Sequence, residues 1–121
     1  IIRALDKELP VFCAIDEIFR GTNPIERISA SAEILTYINN RNSISIVATH
    51  DRELVDILKE SYDFYYFSEN VDSKNGLSFD YKLKRGVSKT RNAIKLLEYI
   101  GYPKDIINKS YRRSEKLEGF I

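Results

Sequence analysis

Two short clusters hold the residue types that could do chemistry. An apolar run, "VFCAI", passes directly into Asp16 and Glu17, and a second, "SISIVA", ends in Thr49, His50 and Asp51. Adjacent carboxylates repel each other unless a cation or a proton shares their site. Hard divalent cations bound partly through water, beside a carboxylate that orients or deprotonates a water molecule, are what such a pair suits. A neutral histidine offers one donor and one acceptor nitrogen. Each residue alone has a plainer role, since carboxylates often cap turns and a lone histidine is often structural. The combination of apolar strand, Asp-Glu, Gly-Thr turn, helix, apolar strand and Thr-His is more specific than its parts.

These residues must be positioned by the elements around them. Residues 1 to 8 read as a helix tail that Pro10 stops. Val11 to Ile15 and Ser43 to Thr49 read as strands covered on both faces. Between them Asn23, Pro24 and Glu26 signal a helix start. Ile25, Ile28, Ala32, Leu35 and Ile38 then recur at helical spacing. Asp51 is expected to cap the next helix, with Leu54, Val55, Ile57 and Leu58 as its apolar residues. Two strand-to-helix units in succession favour a parallel sheet, where function gathers at the carboxyl ends of the strands.

Further along, "YDFYYFS" and "LSFDYKLK" read as an antiparallel pair joined through "ENVDSKNG", with Asn75-Gly76 as the turn. Helical patterns follow over Ser88 to Ile100 and Pro103 to about Leu117. Gly101 ends the first and Pro103 opens the second, giving a helical hairpin.

At 121 residues the chain has room for one modest domain. Its net charge of +1, 19 basic against 18 acidic residues, gives no general attraction to nucleic acid or membrane. A single cysteine, Cys13, excludes an internal disulfide and suits a reducing, cytoplasmic setting. No run is long enough for a transmembrane helix. There is no methionine and the chain opens on "IIRALDKELP", so it is expected to come from inside a longer polypeptide.

"DEIFRGTN" followed by "IVATHDREL" resembles the ATPase domain of the MutS mismatch-repair family, within the ABC class of P-loop ATPases. "GVSKTRNAIKLLEYIGYPKDIINKS" is similar to that family's closing helix-turn-helix. The fold this implies is an α/β partial P-loop NTPase domain of ABC-ATPase type. It has parallel strands flanked by helices, an antiparallel strand pair and a C-terminal helical hairpin. Residues 1–86 would be the later half of the ATPase domain and residues 87–121 a helix-turn-helix that dimerises.

By the same resemblance, Asp16 would hold Mg²⁺ through water at the end of a Walker B strand, and Glu17 would be the catalytic base. Arg20, Gly21, Thr22 and Asn23 would form the D-loop, and His50 would sense the γ-phosphate. Leu96, Leu97, Ile100, Ile106 and Ile107 are the dimer-interface candidates. The implied ligands are Mg²⁺ and ATP. The implied partners are a second copy and DNA, the latter reached through other domains. Phe19 and Asn23 depart from the Gly and Ser usual in the mismatch-repair enzymes, which points to a MutS-related paralogue. No Gly-Lys dipeptide occurs, so a phosphate-binding loop cannot be drawn and the 121 residues alone are expected to be inactive. The family's serine-rich signature would lie just before Ile1.

Three other readings are open on the residues. A receiver domain would need an acceptor Asp at the end of "IVATH", which has none. The final helices could form a non-enzymatic dimerisation module. Lys82, Lys84, Arg85, Lys89, Arg91 and Lys95 could face DNA, though no aromatic is interleaved for base stacking.

Overall fold

The computed structural model describes residues 1–72, 74–89 and 92–118. They form two compact units, one running from Ile1 to Phe64 and one beginning at Tyr65.

The first unit is α/β. Helix α1 (Ile2–Leu5) precedes strand β1 (Val11–Asp16), helix α2 (Pro24–Asn39), strand β2 (Ser43–Ala48) and helix α3 (Glu53–Leu58). β1 and β2 pair in parallel, from Val11 opposite Ser43 to Asp16 opposite Ala48. The two-stranded sheet and α2 therefore form the expected strand–helix–strand crossover. Asn23 caps α2 as its sequence signal requires, its side-chain oxygen accepting the N–H groups of Ile25 and Glu26 at 2.9 and 3.3 Å.

The core joins all three helices to one face of the sheet: Leu5, Cys13, Ala32, Leu35, Ile38, Leu54 and Leu58 are buried together. Ile38 is fully buried, at 0% exposure. Tyr62 fastens the segment after α3 by donating its hydroxyl to the carbonyl of Leu35 at 2.6 Å.

Coverage of both strand faces is not what the structure shows. Burial alternates along both strands, and Phe12, Ile44 and Ile46 remain 64%, 72% and 64% exposed. Side chains alternate across a strand, and the core lies on one face of this sheet only. Ile25, expected on the apolar face of α2, is also exposed, because it sits in the first turn, beyond the reach of the core.

The second unit begins with four short strands, β3 (Tyr65–Tyr66), β4 (Glu69–Asp72), β5 (Gly76–Phe79) and β6 (Lys84–Arg85). β4 pairs antiparallel with β5, and β3 with β6. The expected hairpin is present, but it is broken in two, and "ENVD" is strand rather than connector. Local hydrogen bonding accounts for both differences. The Asp72 carboxylate accepts the N–H groups of Lys74 and Asn75, pulling the turn tight ahead of Gly76, whose φ is +69°. Asp80 accepts the N–H of Lys82, and Tyr81 has a φ of +56°, which interrupts the ladder before β6.

Helix α4 (Ala93–Ile100) and helix α5 (Lys104–Glu118) complete the expected helical hairpin. Gly101 ends α4 with a φ of +100°. α4 starts at Ala93, not Ser88, since Asn92 spends its amide on the carbonyl of Glu69 at 2.8 Å. Thr90 and Arg91, within the expected start, lie outside the described residues, as does Ser73 of the hairpin turn. No helix among the described residues is long and apolar enough to cross a membrane.

Candidate functional site

The carboxyl ends of β1 and β2 bring the two sequence clusters together. The ladder extends one step past β1, where the Glu17 N–H donates to the carbonyl of Ala48 at 2.9 Å. Glu17 has a φ of +59°, a conformation that costs a non-glycine residue about 1–3 kcal/mol and tends to persist at functional sites. Its carboxylate turns toward β2 and accepts the backbone N–H of His50 at 2.9 Å. The same oxygen lies 3.8 Å from His50 Nε2, too far for a hydrogen bond. The Glu17 side chain is 15% exposed, while the imidazole is fully open to solvent.

Asp16, the last residue of β1, has the opposite environment. Its carboxylate is 81% exposed, and its nearest cation is Arg20, with 3.6 Å between Oδ2 and the guanidinium. The turn then passes through Gly21, whose φ is +65°. A Cβ there would meet nothing within 4 Å, so the glycine is needed for its backbone angle alone.

A contact that the sequence did not disclose closes the site. Arg27, in the first turns of α2, binds Asp51 with two parallel hydrogen bonds, Nε to Oδ2 at 2.9 Å and an Nη to Oδ1 at 2.6 Å. The other Nη reaches the carbonyl of Thr22 at 3.4 Å. Asp51 is therefore no cap: α3 starts after Arg52 without a side-chain cap bond, because the Asp51 carboxylate is already engaged. The hydrogen bond to Asp51 holds the Arg27 guanidinium further above its ordinary pKa, with Glu17 adding a smaller attraction. Nothing in the spacing of residues 27 and 51 signals the pair.

Of the residues named for nucleotide chemistry, Glu17 and His50 meet directly. Asp16, Arg20, Gly21, Thr22 and Asn23 line the adjoining turn. The interface candidates lie in the second unit. Leu96 and Leu97 are half-buried, Ile100 and Ile106 are 61% and 44% exposed, and Ile107 is buried in its own unit. Of the basic cluster, Lys84 is tied to Ser68 and Asp80. Arg91 lies outside the described residues.

Among the described residues no three His, Cys, Asp or Glu side chains gather closely enough to hold a metal ion by themselves. A single exposed carboxylate such as Asp16 instead fits a hard cation that keeps most of its waters and takes its other ligands from phosphates.

The MutS domain V family matches residues 4–118, nearly the whole chain. This chain belongs to that family. Its similarity to the DNA mismatch repair protein MutS of Fusobacterium nucleatum is 36% identity over 110 residues, which is 88% of this chain and 12% of that protein. With MutS of Listeria monocytogenes serotype 4a it is 30% identical over 120 residues, 98% of this chain and 14% of the relative. MutS of Orientia tsutsugamushi, strain Boryong, is 34% identical over 98 residues. The chain thus spans a small fraction of the length of its MutS relatives.

Proposed function

We propose that this chain supplies the carboxylate and histidine half of an ATP-hydrolysing site in a MutS-type DNA repair protein. The observation that carries it is the convergence of Glu17 and His50 at the carboxyl ends of two parallel strands, with Asp16 exposed alongside. In this reading Glu17 orients and deprotonates the attacking water, and its 15% exposure favours a directional hydrogen bond over bulk solvation. His50, open to solvent, presents a ring N–H toward the terminal phosphate. Asp16 holds Mg²⁺ through water; when bound, the ion would neutralise charge developing on the phosphate oxygens. Arg20 to Asn23 form the turn that a second copy would contact.

The phosphate-binding loop of such a site is not contained in these 121 residues, and positioning of the phosphates supplies most phosphoryl-transfer catalysis. The P-loop architecture, the ATP chemistry and a homodimer therefore belong to the complete natural protein. DNA as its target follows from the names of its relatives, and contact with DNA would fall to other domains. A second reading, a dimerisation module without catalysis, is favoured by the exposure of Ile100 and Ile106 on the terminal helices.

The proposal is tested by Mg²⁺-dependent ATP turnover in the full natural polypeptide. Asp16→Asn should raise the Mg²⁺ concentration needed for half-maximal turnover. An unchanged Mg²⁺ requirement would remove Asp16 from the site, and absence of any ATP turnover would favour the dimerisation module.

A further inference from the structure

We infer that Arg27 and Asp51 are positioning residues that couple the turn after β1 to the loop carrying His50. The inference rests on the ATP-site reading above and adds to it a device that none of the site's own residues supplies.

A continuous chain of contacts runs through the pair. The Thr22 carbonyl accepts from one Nη of Arg27, Arg27 binds Asp51 through the edge formed by Nε and its other Nη, and Asp51 directly follows His50, whose N–H donates to Glu17. Both ends of this chain are anchored. Arg27 is fixed in α2, its N–H donating to the Asn23 carbonyl at 2.9 Å, and the Asp51 N–H donates to Thr49 Oγ1 at 3.1 Å. The side chains of Arg27 and Asp51 are only 21% and 11% exposed, so the pair is shielded from the screening that makes surface ion pairs weak. A two-pronged bond also fixes orientation, which a single contact between flexible side chains cannot do.

The pair has a second effect. Arg27 is the cation that binds Asp51 in the loop after β2, and it also weakly attracts the Glu17 carboxylate. Removing Asp51 would leave a half-buried arginine without its carboxylate and free to turn toward Glu17, where it would weaken that group as a base. Removing either partner breaks the same two-pronged bond and loosens the His50 loop, so the two effects should not add.

The test is a double-mutant cycle in the full natural polypeptide, with Arg27→Gln, Asp51→Asn and the double variant, plus Arg27→Lys, which keeps charge but loses the fork. ATP turnover and amide hydrogen exchange at His50 are both followed. Each single variant, Arg27→Lys included, should lower kcat by about tenfold with KM for ATP changed less than about twofold. The double variant should be no worse than the poorer single. His50 amide exchange should quicken in every variant while the Leu35 and Ile38 amides of α2 stay protected, which separates loosening of the loop from unfolding. Additive losses of kcat, or His50 exchange equal to the wild type, would overturn the coupling. Should the unmodified protein lack Glu17-dependent turnover, the ATP reading fails. The exchange measurement still decides whether Arg27 and Asp51 hold the His50 loop.

Discussion

Glu17 and Asp16 are neighbours in sequence with opposite environments, one 15% and the other 81% exposed. That division was legible in outline, since successive residues along a strand face opposite ways. Glu17, however, lies one step past β1 with a φ of +59° and reaches its place through a turn of the backbone. What each carboxylate touches was not legible. The Arg27–Asp51 pair spans 24 positions and two elements, and a contact of that kind depends on the crossover bringing α2 beside the end of β2. Asp51 was a plausible cap on local grounds, but a long-range guanidinium outcompeted the local N–H groups. Asn23 kept its local role, so Asn23→Ala should cost about 1 kcal/mol in a denaturant titration, and Asn23→Ser much less. Two further carboxylates give a pH prediction. Hydrogen bonds from the N–H groups of Asn75 and Lys74 hold Asp72 below its ordinary pKa, and Lys84, followed by the Lys82 N–H, does the same for Asp80. A depressed folded-state pKa contributes stability above the unfolded value, and that contribution is lost as pH falls through the folded one. Thermal unfolding of the chain should therefore move to lower temperature as pH falls below about 4, and Asp72→Asn with Asp80→Asn should flatten that slope.

Among the elements, those with a strong period and clear end signals were the readable ones. α2 had its cap, its proline at the first turn and its buried residues at Ala32, Leu35 and Ile38, all confirmed. Ile38→Ala should cost about 2–5 kcal/mol, since a fully buried side chain leaves a cavity, and chemical denaturation would measure it. Gly101 was equally readable. Its φ of +100° suits no L side chain, so Gly101→Ala should destabilise the α4–α5 hairpin by about 1 kcal/mol or more. The aromatic hairpin was harder. Its strand-favouring composition identified the pairing but not the break at Asp80 and Tyr81, which depends on side-chain bonds to nearby backbone. The strands of the first unit illustrate a different limit. Apolar residues on both faces predict two-sided cover, yet sequence pattern cannot say whether the cover comes from the same stretch of chain. Phe12, Ile44 and Ile46 stay open on a face that the helices of this unit do not reach.

For the molecule as a whole, the division of labour is the main consequence. A family match over residues 4–118 accounts for nearly all of this chain and for only a small part of its MutS relatives. The site brings Glu17, His50 and Asp16 to the carboxyl ends of two parallel strands. In the proposed function they would serve as base, phosphate contact and cation carboxylate, without the loop that would anchor a nucleotide. The isolated 121 residues should therefore show no ATP turnover above buffer in a phosphate-release assay, even with saturating Mg²⁺. Turnover should appear only in the full natural polypeptide. The most direct test is single-turnover ATP hydrolysis by that polypeptide, comparing the wild type with Glu17→Gln, alongside ATP binding at equilibrium. Loss of a general base predicts that the chemical step slows by about a hundredfold or more while ATP binding is retained. Hydrolysis at the wild-type rate in Glu17→Gln would contradict a catalytic role for the Glu17–His50 site.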